Sequence, residues 1–269
     1  MNAPTLDQID QPAILQVIFH PRPDTSPPNP KLDVQIPVDS AVTLGARLHA
    51  AGGPTAPLIL FFHGNGEIAA DYDDIAPTYN RLGINFLAVD YRGYGRSTGK
   101  PTVRTLLADA RTVWDTLPSL CTANNVKPAK IYVMGRSLGS ASALEIATHA
   151  GNAVSGLIIE SGFAYGMRLI ARLGGLESAM ADDGRIGLGH LAKIGKISVP
   201  TLILHGEEDW IIPVEDAHAL YTHAGAQDKR LVTIPAAGHN DLLFTGTQEY
   251  FTAIRDLIGA PPESGSDDE

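Results

Sequence analysis

Ser137 lies in Gly135-Arg136-Ser137-Leu138-Gly139, between the β-rich run KIYVMG and the small-residue segment SASALEIATHA. A serine hydroxyl becomes a nucleophile when a histidine takes its proton, and that histidine needs an acid to fix its tautomer. Further along the chain, Glu207, Glu208 and Asp209 follow TLILHG, and His239 stands in Gly238-His239-Asn240-Asp241 after RLVTIPA. The order Ser, acid, His is that of a G-x-S-x-G nucleophile on a strand-turn-helix elbow. Asp209 is favoured as the acid by motif position. Glu160, at the end of GLIIES, is the alternative from the preceding strand, and His205 could simply pair with Asp209 across their turn. A serine at a helix start is often only an N-cap; the strand before and the small residues after give this one its chemical meaning.

Acyl transfer also needs two N–H donors aimed at the developing oxyanion. Leu138 offers one at a helix N-terminus, where the dipole favours negative charge. The other is expected from FFHGNGE (61–67), where His63-Gly64 permits a sharp turn that presents the Asn65 main-chain N–H.

These residues must be carried by elements that end side by side. DVQIPV (33–38) and TLGARLHA (43–50) read as an antiparallel pair. LILFFH (58–63), INFLAVD (84–90), KIYVMG (130–135), GLIIES (156–161), TLILHG (201–206) and RLVTIPA (230–236) follow as further strands. Most lack period-two alternation, as strands covered on both faces do. Helical patterns near 67–81, 102–118, 138–150, 214–224 and 247–258 separate them. Such alternation predicts an α/β fold with a mostly parallel sheet, about eight strands, and a site at the carboxyl edge. Residues 1–30, with Pro21, Pro23, Pro27, Pro28 and Pro30, read as an extended surface segment in which AILQVIF (13–19) could form a strand. Residues 31–259 form one domain, and 260–269 an acidic disordered tail. Residues 163–197 are glycine-rich and fall where a small cap or lid would sit, with Met167, Leu169, Ile170 and Leu173 as acyl-contacting candidates; a single helix on the sheet is the other reading.

With 44% hydrophobic and 19% charged residues the chain sits near globular averages. Thirty acidic against twenty basic residues give a formal charge of −10, which argues against a nucleic-acid footprint and against electrostatic attachment to anionic membranes. Cys121 is the only cysteine, so neither an intrachain disulfide nor a thiolate metal site is expected. The N-terminal residues show no secretory signal pattern, and no apolar stretch reaches the length of a membrane span. A cytoplasmic protein acting on a small acyl substrate, without metal or organic cofactor, is the expectation; oligomeric state is left open.

HGNG (63–66), VDYRGYGRSTGKP (89–101), GRSLG (135–139), LHGEEDWIIP (204–213) and GHNDLL (238–243) together resemble the α/β-hydrolase superfamily. Within it they are similar to the BEM46-like and ABHD13/ABHD17-like branch of serine hydrolases. The resemblance runs from about residue 56 to 258. It implies Ser137, Asp209 and His239 as a triad, Asn65 and Leu138 as oxyanion donors, and structural roles for Asp90, Arg92 and Ser97. The chain lacks the N-terminal cysteine cluster of depalmitoylating relatives and a hydrophobic anchor. An ester or thioester hydrolase is the expected activity, with a serine peptidase as runner-up. Two readings come from other classes. In one, Gly64-Asn65-Gly66-Glu67-Ile68-Ala69 with Asp90 mimics a dinucleotide-binding turn, but this leaves GRSLG, HGEED and GHND unexplained. The other is a non-catalytic binding protein on the same fold, which usually loses a triad residue.

Overall fold

Strands that are almost wholly apolar need cover on both faces, and β3 (Leu58–Phe62) and β4 (Asn85–Val89) are among those buried along their whole length. The computed structural model, which describes residues 6–53, 55–174 and 188–259, sets them in the middle of an eight-stranded sheet. The other strands are β1 (Asp33–Pro37), β2 (Thr43–His49), β5 (Ile131–Arg136), β6 (Gly156–Glu160), β7 (Thr201–Gly206) and β8 (Lys229–Ile234). Their order is β1-β2-β4-β3-β5-β6-β7-β8, with β2 antiparallel to β1 and β4, and every later pairing parallel. All eight expected strands are present within a residue or two of their predicted limits.

The helices are α1 (Leu6–Ile9), α2 (Pro12–Ile18), α3 (Ala76–Arg81), α4 (Val103–Ala123), α5 (Gly139–Ala150), α6 (Gly166–Gly174), α7 (His190–Ile194), α8 (Val214–His223), α9 (Leu242–Thr245) and α10 (Thr247–Ile258). The pleat sorts side chains into two cores. Leu58, Leu60 and Phe62 pack with α4, α5, α7 and α8, whereas Ile59 and Phe61 pack with Tyr79 of α3 and Tyr250 and Ile254 of α10. Parallel crossovers bring the carboxyl ends of β3 and β5–β8 to one edge. No helix among the described residues is long and apolar enough to cross a membrane.

Three expectations need correction. AILQVIF is not a strand but most of α2. Pro12 occupies the first helical turn, where its missing N–H is not needed, and Ile18 faces the core. The helix expected to stop at Pro118 continues to Ala123. Its second half buries Leu117, Leu120 and Cys121, and the Thr122 hydroxyl donates to the Pro118 carbonyl at 2.8 Å. The pattern at 67–81 is split into a 3₁₀ turn (Ala69–Tyr72) and α3, with a proline opening the latter. Of the proposed cap, α6 and α7 are described; residues 175–187 lie outside the described residues.

Backbone approaches backbone closely where α5 leaves β5. A Cβ on Gly139 would sit 2.0 Å from the Phe62 carbonyl oxygen, and one on Gly135 2.2 Å from that of Gly139. Backbone thus packs on backbone, and neither neighbour can move without parting the sheet from the helix. Gly139→Ala should therefore lower stability by about 1–3 kcal/mol in urea unfolding. Gly53→Ala, whose Cβ would make an ordinary 3.7 Å contact with Ala56, should stay within about 0.5 kcal/mol of the parent.

Candidate active site

The tight β5–α5 junction drives Ser137 into left-handed backbone, φ +50°. That conformation costs an L-residue roughly 1–3 kcal/mol and persists only when its surroundings enforce it. Here the Ser137 N–H donates to the Glu160 carbonyl at 2.8 Å, and its own carbonyl accepts from the Ser140 N–H (3.0 Å) and hydroxyl (2.7 Å). Ser161 and Ala236, two of the other non-glycine residues with positive φ, also follow strand ends at this edge.

The carboxyl edge brings the three sequence-predicted residues together. Ser137 Oγ lies 3.0 Å from His239 Nε2, and His239 Nδ1 lies 2.7 Å from Asp209 Oδ2. If Nδ1 donates to the carboxylate, Nε2 is left unprotonated to accept from the serine hydroxyl. Asp209 Oδ1 accepts from the Ile211 and Ile212 N–H groups at 2.9 and 2.7 Å, so the carboxylate cannot rotate away. Burial pushes the Asp209 carboxyl up, but the His239 hydrogen bond and charge and the Ile212 N–H outweigh it and hold the group below the ordinary aspartate value. His205 also approaches Asp209, at 3.4 Å, while its Nε2 lies 2.8 Å from the Ile212 carbonyl. Burial lowers the His205 pKa, favouring a neutral ring. Glu160, the alternative acid, points elsewhere.

Arg136 explains where Glu160 goes. Its guanidinium sits between Glu67, an ion pair, and Glu160, with Nε 3.2 Å from Oε1. Nη2 also donates to the His239 carbonyl at 2.7 Å and to Asn240 Oδ1 at 3.0 Å. Glu67 Oε2 in turn accepts from the Gly64 N–H and the Tyr72 hydroxyl, both at 2.7 Å. Glu160 Oε2 accepts from Tyr250 at 2.7 Å. One side chain thus ties the loop after β3, the end of β6 and the histidine loop to the residue before Ser137. Burial raises the Glu160 carboxyl above its usual range in spite of Arg136. Sequence reasoning missed Arg136 and Glu67; their only signal was position, inside GRSLG and directly after HGNG.

Asn65 and Leu138, the two residues expected to supply N–H donors, line the same cavity as Ser137. Among the described residues neither the Asn65 nor the Leu138 backbone N–H has an acceptor, and both residues line the cavity that opens at Ser137. That cavity is about 260 Å³ and its deep wall is aliphatic and aromatic: Leu138, Phe163, Leu169, Ile170, Leu188 and Ile212. Leu173 and Ile211 continue it outward. Of the four acyl-contacting candidates, Leu169, Ile170 and Leu173 line it; Met167 does not and packs against the core. Ile18 and His20, from the segment expected to run over the surface, line it too. Asp90, Arg92 and Ser97 brace the neighbouring loop. Asp90 accepts from the Ala69 N–H at 2.7 Å, Arg92 meets Asp109 through two bonds of 2.6 and 2.7 Å, and Ser97 accepts from the Gly45 N–H at 2.8 Å.

Fold and site together define an α/β-hydrolase. The chain belongs to the serine aminopeptidase S33 family, whose profile matches residues 53–182 and 185–244. It is 31% identical over 231 residues to an uncharacterized protein of Mycobacterium tuberculosis (strain ATCC 25618 / H37Rv), covering 84% of this chain and 78% of that protein. It is 29% identical over 208 residues to alpha/beta hydrolase domain-containing protein 17B of Homo sapiens, covering 74% of this chain and 65% of that one. Among solved structures, the Pyrococcus furiosus esterase Pf2001 superposes with a TM-score of 0.70 at 19% identity, over 90% of this chain and 98% of the esterase.

Replacing Arg136 by Met would leave the buried Glu160 carboxylate and the half-buried Glu67 carboxylate without the cation they share. The expected loss at pH 8 is about 3–5 kcal/mol by denaturant unfolding. Glu160 already holds its proton more tightly folded than unfolded, so its ionisation weakens the fold as pH rises. The deficit of the variant should accordingly shrink between pH 8 and pH 5.

Proposed function

We propose that the protein hydrolyses carboxylic esters or thioesters of short-to-medium aliphatic acids through an acyl-enzyme on Ser137. The observation that carries this reading is the continuous hydrogen-bonded path Ser137–His239–Asp209 opening on an apolar cavity. His239 Nε2 takes the hydroxyl proton as Ser137 Oγ attacks the carbonyl carbon. Charge gathers on the carbonyl oxygen, where the Asn65 and Leu138 N–H groups stabilise it. The imidazolium, held by ionised Asp209, then gives its proton to the leaving alcohol or thiol. Water enters, His239 removes its proton, and the second tetrahedral species collapses to acid and free serine. Every group these steps need is a side chain or backbone amide of this chain. The acyl group lies along Leu169, Ile170 and Leu188, and the cavity is smaller than the ~300–1,000 Å³ typical for drug-sized ligands.

The family name raises an aminopeptidase reading, since the same triad cleaves amides. An aminopeptidase must hold a substrate ammonium, and no carboxylate lines this cavity among the described residues. That favours the ester reading.

Fluorophosphonate labelling followed by peptide mass spectrometry should place the adduct on Ser137 and lose it in Ser137→Ala. Asp209→Asn should lower kcat on a p-nitrophenyl ester by about 10⁴-fold, because the histidine loses its tautomer. Across p-nitrophenyl acetate to palmitate, kcat/KM should peak at short or medium chains and exceed that on aminoacyl-p-nitroanilides. No labelling of the folded protein would instead favour a binding protein on a hydrolase fold.

A further inference from the structure

The segment before β1 enters the site. After α2, which packs against α6, the chain turns at Phe19 into extended backbone and runs past the loop that follows β3. Asn65 is the residue it meets. Asn65 Oδ1 accepts from the His20 N–H at 2.9 Å and from the Tyr94 hydroxyl at 2.7 Å. The His20 N–H is shared with the Tyr94 hydroxyl oxygen, at 2.8 Å, and these two donors around one atom fix which end of the amide is oxygen. Nδ2 therefore faces His20 Nδ1, at 3.0 Å, and must donate to it. That requires the proton of the neutral ring on Nε2. Two residues on, Arg22 Nε donates to the Gly66 carbonyl at 2.7 Å and its guanidinium pairs with Asp71. Residues 20 and 22 thus grip Asn65 by its side chain and Gly66 by its carbonyl, while Asn65 lines the serine cavity and its N–H has no acceptor among the described residues.

We infer that His20 is a positioning residue for the oxyanion donor: its Nδ1 and N–H hold the Asn65 side chain, and through it the Asn65 backbone N–H, at the place where the carbonyl oxygen becomes negative. The inference rests on the acyl-enzyme reading above. A hydrogen bond to the oxyanion matters more in the transition state than in the ground state, so loosening Asn65 acts on turnover and not on substrate affinity. His20 also lines the cavity mouth, where a purely steric wall would act on affinity instead. The two roles separate kinetically.

The test is steady-state hydrolysis of p-nitrophenyl butyrate by the full chain, with His20→Ala and His20→Asn beside the parent. Asparagine keeps an acceptor at the Nδ1 position; alanine has none. His20→Ala should lower kcat by about 10–100-fold with KM within about twofold, and slow fluorophosphonate labelling of Ser137 in step. His20→Asn should recover most of the loss. Thermal unfolding of both variants should stay near the parent, which excludes a general loss of fold. An unchanged kcat in His20→Ala, or a rise in KM shared equally by both variants, would overturn the positioning role while leaving Ser137 as the nucleophile. A parent protein that neither labels nor turns over ester would overturn both.

Discussion

The contact on which the site depends is backbone against backbone where β5 turns into α5. Gly135 and Gly139 have no side chain to hold the helix off the sheet, so α5 starts pressed onto the Phe62 carbonyl of β3. The turn left between them is too short for ordinary backbone, and Ser137 absorbs the difference with φ +50°. Strain at Ser137 and the placement of its hydroxyl share one cause. The conformation that costs energy also lifts Oγ off the sheet edge and sets the first turn of α5 beside it. It is tolerated because the cores on both sheet faces hold β3, β5 and α5 in place.

Charge is arranged around that turn with two different purposes. Asp209 stays ionised beside His239 because backbone N–H groups and the ring outweigh the cost of burial. Glu67 and Glu160 share a single arginine, which spends its remaining donors on the His239 carbonyl and Asn240. The first arrangement orients the His239 ring toward Ser137. The second acts at one remove, since it ties loops from separate strands to the residue preceding Ser137. Such a network holds only while every member is satisfied, and here tyrosines 72 and 250 complete the carboxylates.

The cavity is shaped by other parts of the molecule. Ser137, Asp209 and His239 stand beyond strand ends, whereas the cavity wall comes from α6, the stretch before α7, the turn after Asp209 and the N-terminal segment. Those parts can vary without disturbing the elbow, which is why one fold carries many activities. The shared frame with the P. furiosus esterase at 19% identity is an instance: the architecture persists where most side chains differ.

Much was legible in the chain alone because it is local. Uninterrupted apolar runs such as LILFF and GLIIE mark covered strands; glycines at 135 and 139 mark a close turn; Asp209 and His239 stand directly after strands, so their edge follows from strand direction. Other features depend on residues far apart in sequence, whose meeting no periodicity records. Arg136 meets Glu67 across 69 positions and His20 meets Asn65 across 45. AILQVIF carries β-rich composition yet is helical, because Pro12 can open a helix and α6 gives Ile18 a surface to bury. The proposed reaction was legible in short motifs, since turns and strand ends are fixed by neighbouring residues. What holds those motifs in register, and what walls the cavity, was decided only by packing, since a side chain's partner depends on where the rest of the chain has already gone.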